Sequence, residues 1–169
     1  MSRKDPAYVQ RAKDIQSLEG EELIRLHKQI QSLPGCAGIA LKDFAVGSAI
    51  FARKPGDGSA REQAASCQRV LGASANFALE YATKRYRSNL INWGILPFVI
   101  GDESALSLGA YIFFPGIRKA VQEKAAAITG YALGNSAAIA VSLGELTDAE
   151  RQILLDGCLI NHYAGAAYR

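Results

Sequence analysis

The chain has 169 residues, of which 49% are apolar and 21% are charged. This length and composition fit one folded domain of ordinary size and argue against a disordered chain. Its 19 basic and 16 acidic residues leave a net charge of +3, which is too small to indicate a nucleic-acid-binding protein. The three cysteines include no C-x-x-C pair, so neither a disulfide framework nor a self-contained zinc or iron–sulfur site fits the sequence.

The N-terminal residues are polar, and no apolar stretch that would indicate a secretory signal follows them. Together with the unpaired thiols, this predicts a protein of the reducing cytoplasm. Residues 125–144 carry no charge, but their many small residues would insert poorly into a bilayer. We therefore expect two short strands joined by a turn at Gly134-Asn135, and no membrane-spanning segment.

Two helices are predicted before residue 35. Their apolar residues recur at helical spacing, at Ile15, Leu18, Leu23, Leu26, Ile30 and Leu33. Gly20 separates the two helices, and Pro34-Gly35 ends the second. Residues 1–35 hold six basic and five acidic residues, a balance that suits a solvated helical pair or an arm lying on a neighbour. We expect this stretch to be a helical arm or linker and residues 36–169 to form the domain itself.

After residue 35, apolar runs typical of strands alternate with helical patterns. The predicted strands are Val46–Phe51, Ala75–Leu79, Ile95–Ile100, Tyr111–Phe114, Ile128–Leu133 and Ala137–Leu143. Helices are predicted at Ala60–Leu71, Ala82–Trp93 and Ile117–Ala127, and a capping box at Thr147–Glu150 opens a last helix. This alternation predicts an α/β domain with flanking helices and a sheet that is at least partly parallel.

The segment with the most chemical content reads GDGSARE, from Gly56 to Glu62, between a predicted strand and a predicted helix. At such a junction, backbone N–H groups and the helix dipole form an anion site. The two glycines permit positive φ and the close approach of a ligand. Ser59 has capping-box spacing to Glu62, and Arg61 can offer a bidentate fork to a carboxylate. A glycine turn before a capped helix with a solvated arginine explains the same residues without any ligand.

Two nucleotide-binding motifs are not completed by this segment. Arg61 stands where a G-x-G-x-x-G motif has its third glycine, and no Gly-Lys-Ser/Thr follows as a P-loop requires.

Extended to Ala65, the segment resembles the G-x-G-S-S-R-E-x-A signature of the aconitase and isopropylmalate dehydratase superfamily. That signature belongs to the C-terminal swivelling domain, or to a separate small subunit, of these hydro-lyases. Further family motifs are matched in order by Val70-Leu71-Gly72, Ser88-Asn89-Leu90 and Gly94-Ile95-Leu96-Pro97. The resemblance implies the swivelling β/β/α fold. It also implies a reaction that dehydrates, hydrates or isomerises a small hydroxy-polycarboxylate.

By position, the resemblance assigns Ser59 as the serine that removes, as an alkoxide, the proton α to a substrate carboxylate. Gly58, Ala60 and Arg61 match substrate-binding positions, with Arg61 as the carboxylate clamp. A basic residue of the family in the next helix corresponds to Lys84 or Arg85, which before the resemblance would be assigned to a solvated helix face.

The family also implies a cofactor and a partner. A 4Fe–4S cluster, held by three cysteines of the large partner, binds the substrate hydroxyl there and acts as a Lewis acid. The three cysteines of this chain do not match those ligands. We therefore expect the cluster in a partner domain or subunit, no metal on this chain, and no activity from this chain alone.

Two departures from the family pattern keep a different function open. Ala60 replaces the second serine of the signature, and the upstream family segment that helps to bind substrate has no counterpart before Val46. The alternative is a non-catalytic domain that retains the fold and binds an anion, a protein or RNA. Arg53–Arg87 hold seven basic and three acidic residues, a net of +4 that suits an anionic substrate, and the rest of the chain sums to −1.

Overall fold

The computed structural model describes residues 5–167 and shows an α/β fold built on one mixed sheet of six strands. Strands β1, β2 and β3 are parallel, whereas β6 pairs antiparallel with β3 and the remaining pairs are also antiparallel. The order across the sheet is β1-β2-β3-β6-β5-β4. The strands are β1 Ser48–Phe51, β2 Ala73–Ala78, β3 Leu96–Ile100, β4 Ile112–Phe113, β5 Ile128–Ala132 and β6 Ala138–Ser142.

Within the same residues, seven α-helices accompany the sheet. They are α1 Tyr8–Gln16, α2 Gly20–Gln31, α3 Arg61–Val70, α4 Lys84–Asn92, α5 Ile117–Gln122, α6 Asp148–Asp156 and α7 Leu159–Ala167. The predicted α/β class and partly parallel sheet are therefore confirmed. The predicted last helix is two helices, because Gly157 adopts a φ of +96° and ends α6. None of the helices in residues 5–167 is both long and apolar enough to cross a membrane.

One face of the sheet packs against α5 and α6 and holds the largest buried cluster. Alternate residues of β2 and β3 point to this face, so that the rings of Phe77 and Phe98 lie 5.4 Å apart and Phe98 stacks on Phe114 at 4.7 Å. The same alternation turns Asn76 of β2 to the opposite side, where it bonds to Tyr86 of α4. A second, smaller core lies there, between the sheet and helices α3 and α4.

The two N-terminal helices pack on the sheet domain at both of its ends. Ile30 of α2 forms a buried cluster with Leu33 and Cys36, which contacts Phe113 of β4 and Tyr131 of β5. Helix α1 contacts β1 at the other end of the sheet. Gln16 at its C-terminus donates a hydrogen bond to the carbonyl of Val70, at the end of α3. The regularly spaced apolar residues of this stretch thus pack against the chain's own sheet.

Candidate active site at the carboxyl ends of the parallel strands

The loop of residues 52–60 follows β1 and leads into α3. Loops that follow the other two parallel strands hold it by ion pairs. Arg53 Nε lies 2.8 Å from Glu103 Oε2, after β3, and Lys54 Nζ lies 2.6 Å from Glu80 Oε1, after β2. Ligands of open α/β sheets bind at the carboxyl ends of the strands. The GDGSARE segment therefore lies where this class of fold places its ligand sites.

Gly56 is the point at which the loop meets two helices. Its φ of +102° is a conformation that favours glycine, as the sequence predicts. Its carbonyl accepts hydrogen bonds from Arg61 Nε at 2.9 Å and from Thr83 Oγ1 at 3.0 Å. Arg61 opens α3 and Thr83 caps α4, so the first turns of both helices lie against the same loop. Gly58 differs, because a Cβ there would meet nothing within 4 Å and its φ is not in the left-handed range.

Ser59 does not cap α3, and the predicted capping box with Glu62 is wrong. The helix begins at Arg61, and its N-cap is Ala60, with φ −86° and ψ 51° and no side-chain cap. The Glu62 carboxylate instead accepts a hydrogen bond from Trp93 Nε1 at 2.8 Å. Ser59 is exposed, and its hydroxyl makes no hydrogen bond to any residue in the described part of the chain. The hydroxyl is therefore available to a ligand or a substrate.

Arg61 uses part of its guanidinium to hold the loop. Besides the bond from Nε to Gly56, Nη2 lies 3.5 Å from the carbonyl oxygen of Asp57. A guanidinium has five N–H donors, so these two contacts leave the larger part of the group free for an anion. These two hydrogen bonds fix the position of the Arg61 guanidinium relative to the loop that carries Ser59.

The basic cluster of α4 divides into two parts. Lys84 and Arg85 lie in the first turn, are exposed, and have no acidic partner among residues 5–167. Arg87 points elsewhere and donates to the carbonyls of Leu143 and Glu145, the second at 2.6 Å. The bond from Thr83 to Gly56 brings the first turn of α4 to the loop that carries Ser59. Both candidate cations of this helix thus lie in the turn that directly follows the residue bonded to this loop.

Part of the local positive charge is neutralised. Arg53 pairs with Glu103, which lies outside the basic stretch that the sequence indicates, and Lys54 pairs with Glu80 inside it. The hydrogen bond from Arg53 lowers the pKa of the Glu103 carboxyl below its ordinary value. The carboxylate is therefore ionised at neutral pH, and Arg53 is not free for substrate. Arg61 and the two cations of α4 have no carboxylate partner among residues 5–167, and Asp57 adds one exposed acidic residue to the loop.

The three cysteines do not form a cluster site. Cys36 is buried under α2, Cys67 is exposed on α3, and Cys158 is half-buried between α6 and α7. No group of three or more His, Cys, Asp or Glu side chains in residues 5–167 is arranged to hold a metal ion. These side chains do not fit the three-cysteine ligand set of a 4Fe–4S cluster.

Two residues that sequence reasoning missed shape the site. Thr83 is the N-cap of α4, where its Oγ1 accepts from the Tyr86 N–H at 3.2 Å while it donates to Gly56. A threonine before a helical run is a typical N-cap, so this signal was present in the sequence. Trp93 packs against the second core cluster, and nothing local in the sequence indicates its hydrogen bond to Glu62.

Comparison with known protein families and with curated proteins gives no match to this chain.

Proposed function

We propose that this chain is the swivelling domain of an aconitase-like hydro-lyase. It would act on a small hydroxy-polycarboxylate together with a partner that carries the 4Fe–4S cluster. The observation that carries the proposal is the loop after β1, which bears the exposed Ser59 and whose carbonyls at Gly56 and Asp57 bind the guanidinium of Arg61. The same loop receives the first turn of α4, with Lys84 and Arg85. A base and a set of cations are the groups that such a reaction requires of this half of the enzyme.

Ser59 would act as the base in its alkoxide form, and an unperturbed serine hydroxyl is a very weak acid. Two features of the loop favour the anion. The first-turn N–H groups of α3 have no intrahelical acceptor and form the positive end of the helix dipole. The positively charged guanidinium of Arg61 lies two residues further along the chain. Fixed donors of this kind stabilise developing negative charge without reorganisation. The alkoxide would accept the proton α to a substrate carboxylate and return it in the reverse direction.

The substrate carboxylates would bind to the cations around the loop. Arg61 offers the donors that its bonds to the loop leave free, and Lys84 and Arg85 add two charges from α4. At Gly58 the backbone is open, since a side chain there would meet nothing within 4 Å. Ala60 places a methyl group where the family signature has a second hydroxyl, so we expect one fewer hydrogen bond to the substrate than in relatives with that serine.

The exposure of the loop supports the need for a partner. An alkoxide base works in a site from which water is excluded, whereas Gly58, Ser59 and Ala60 are exposed in this chain. Closure of the loop over a cluster-bearing partner would exclude that water, as the movement of a swivelling domain does. We therefore expect no turnover by the chain alone.

Titration of the ¹⁵N-labelled chain with citrate tests the anion site. The proposal predicts amide shifts at residues 56–62 and in the first turn of α4. Removing both exposed cations of that turn, with Lys84→Gln and Arg85→Gln, should weaken citrate binding about tenfold, at roughly 0.5–1 kcal/mol for each charge. The matched control removes two exposed cations of α2, with Arg25→Gln and Lys28→Gln, and should leave binding unchanged.

The same titration separates the alternative function. Amide shifts caused by a single-stranded RNA oligonucleotide, steeply weakened by salt and absent with citrate, would indicate a nucleic-acid-binding domain instead. Equal losses of citrate binding in the α4 and α2 variants would show only a non-specific charge effect and would contradict the site.

A further inference from the structure

Tyr86 of α4 lies directly beneath the Ser59 loop. Its side chain is buried, with 3% of its surface exposed. A Cβ built on Gly56 would lie 2.5 Å from Cβ of Tyr86 and 2.7 Å from Cγ of its ring. The backbone of the loop therefore rests on this tyrosine with no room for a side chain between them.

The hydroxyl group of Tyr86 joins α3, the helix that follows the loop, to β2, the strand beside the one that precedes it. Gln68 Nε2 donates to it at 3.0 Å, and Asn76 Nδ2 donates to it at 3.1 Å. Gln68 lies on α3, two turns after the first residue of that helix. Asn76 lies on β2 in register with Ile50 of β1, the strand that feeds the loop. The hydroxyl oxygen thus ties the helix after the loop to the sheet beside the strand before it.

The backbone of Tyr86 reaches the loop by a second route. Its N–H donates to Thr83 Oγ1 at 3.2 Å, and Thr83 Oγ1 donates to the Gly56 carbonyl at 3.0 Å. The same carbonyl binds Arg61. Tyr86 therefore contacts Gly56 through its ring and, by way of Thr83, through its N–H group.

This polar arrangement lies in an otherwise apolar layer. The buried neighbours of Tyr86 in its cluster are Ala65, Ala73, Leu90 and Ile95. Replacing all partners of a buried hydrogen bond by apolar groups of the same shape is nearly neutral for stability, so stability does not require the polar trio. The hydrogen bonds of a buried polar network favour the arrangement of elements that makes them. Here both amide N–H donors reach the Tyr86 hydroxyl, while Gln68 Oε1 and Asn76 Oδ1 have no partner among the described residues. Burial raises the pKa of Tyr86 although both amides lower it, so the hydroxyl remains protonated at neutral pH.

We propose that Tyr86 is a positioning residue, which holds the loop of residues 52–60 in the conformation that presents Ser59. The contacts described above support the role of Tyr86 in holding the loop. Only the consequence of that role for catalysis rests on the proposed function. Tyr86 itself touches no reacting atom, because it lies under the loop.

Amide hydrogen exchange measured by NMR tests this directly. The N–H groups of Glu80 and Ala82 donate to the carbonyls of Arg53 and Pro55, respectively. Their exchange rates therefore rise when the loop moves away and these hydrogen bonds break. The N–H of Leu133 donates to the carbonyl of Tyr111 at the far end of the sheet and serves as the internal reference. Relative to that reference, Tyr86→Leu should raise exchange at the reporters at least about tenfold. Tyr86→Phe, which keeps the ring and loses the hydroxyl, should raise it about threefold.

Leu90→Ala is the matched control, because Leu90 is a fully buried residue of the same helix and cluster. It should lower the free energy of unfolding but change the reporter-to-reference ratio less than about twofold. The proposal is overturned if Leu90→Ala raises that ratio as much as Tyr86→Leu does, or if Tyr86→Phe, which keeps the core filled, leaves it at the wild-type value. The readout needs no activity, so it stands or falls separately from the hydro-lyase proposal.

Discussion

A single glycine determines the shape of the candidate site. At Gly56 the φ is +102°, and an added Cβ would lie 2.5 Å from a buried side chain that cannot move away. This conformation costs a non-glycine residue free energy even where there is space. The position of the Ser59 loop over α4 therefore depends on the absence of a side chain at this residue.

Gly56→Ala should lower the free energy of unfolding by about 2 kcal/mol or more, because backbone strain and a steric clash add together. Urea denaturation followed by circular dichroism measures the change. Gly58→Ala is the control within the same loop and should cost less than about 0.5 kcal/mol, since open space surrounds that position. Equal losses in the two variants would show that the contact with Tyr86 does not constrain the loop.

At the scale of elements, one sequence pattern gives two different structures. Ser59 and Glu62 have the same spacing as Thr147 and Glu150, and both pairs precede a helix. The second pair forms a capping box, in which Thr147 accepts from the Glu150 N–H and the Glu150 carboxylate accepts from the Thr147 N–H at 2.8 Å. At the first pair, the Glu62 carboxylate accepts a hydrogen bond from Trp93 instead, and the Ser59 hydroxyl has no hydrogen-bond partner among the described residues. A tertiary contact thus overrides the local signal.

The two helix starts should respond differently to the loss of a hydroxyl. Thr147→Ala should lower the free energy of unfolding by about 1 kcal/mol, because it removes a cap. Ser59→Ala should change it by less than about 0.5 kcal/mol, because no described residue bonds to that hydroxyl. Denaturation of the two variants in parallel checks this. A loss at Ser59 as large as that at Thr147 would mean that the serine has a structural role.

The elements themselves could largely be predicted from the sequence. Apolar periodicity located the strands and most helices, and Gly134-Asn135 indicated the turn between β5 and β6, whose ends are joined by a bond from the Ala132 N–H to the Ala137 carbonyl. The pairing of β3 with β6 was not predictable, because strand order depends on contacts that are distant in the chain. The break at Gly157 was missed although a glycine after a helical run is a local stop signal. A Cβ on Gly94 would lie 1.6 Å from the Gly157 carbonyl oxygen, a close approach that no local pattern shows.

The site was predictable in its residues but not in its connections. The GDGSARE segment and the basic start of α4 can be found in the sequence, and Gly56 has the positive φ expected of it. The roles of Thr83 and Tyr86 depend on α4 packing under the loop, which only the fold reveals. The pairing of Arg53 with Glu103 likewise changes which cations are available to a substrate.

At the scale of the whole molecule, the candidate site lies where the three parallel strands have their carboxyl ends. The aromatic core under α5 and α6 fixes the sheet, and the parallel strands deliver three loops to that end of the sheet. The net charge of +3 is modest for the whole chain. Its significance is local, because Lys84 and Arg85 lie without acidic partners among the described residues at the loop that carries Ser59.

The most direct test of the proposed function is an activity measurement with the cluster-bearing partner added as a separate polypeptide. Dehydration of a hydroxytricarboxylate is followed by the absorbance of the unsaturated product. Wild-type chain should restore turnover, and Ser59→Ala should lower kcat by about 10²- to 10⁴-fold, as expected for loss of a proton-transferring group. Ser107→Ala, at another exposed serine, should leave kcat unchanged. Full turnover by Ser59→Ala would contradict the assignment of Ser59 as the base.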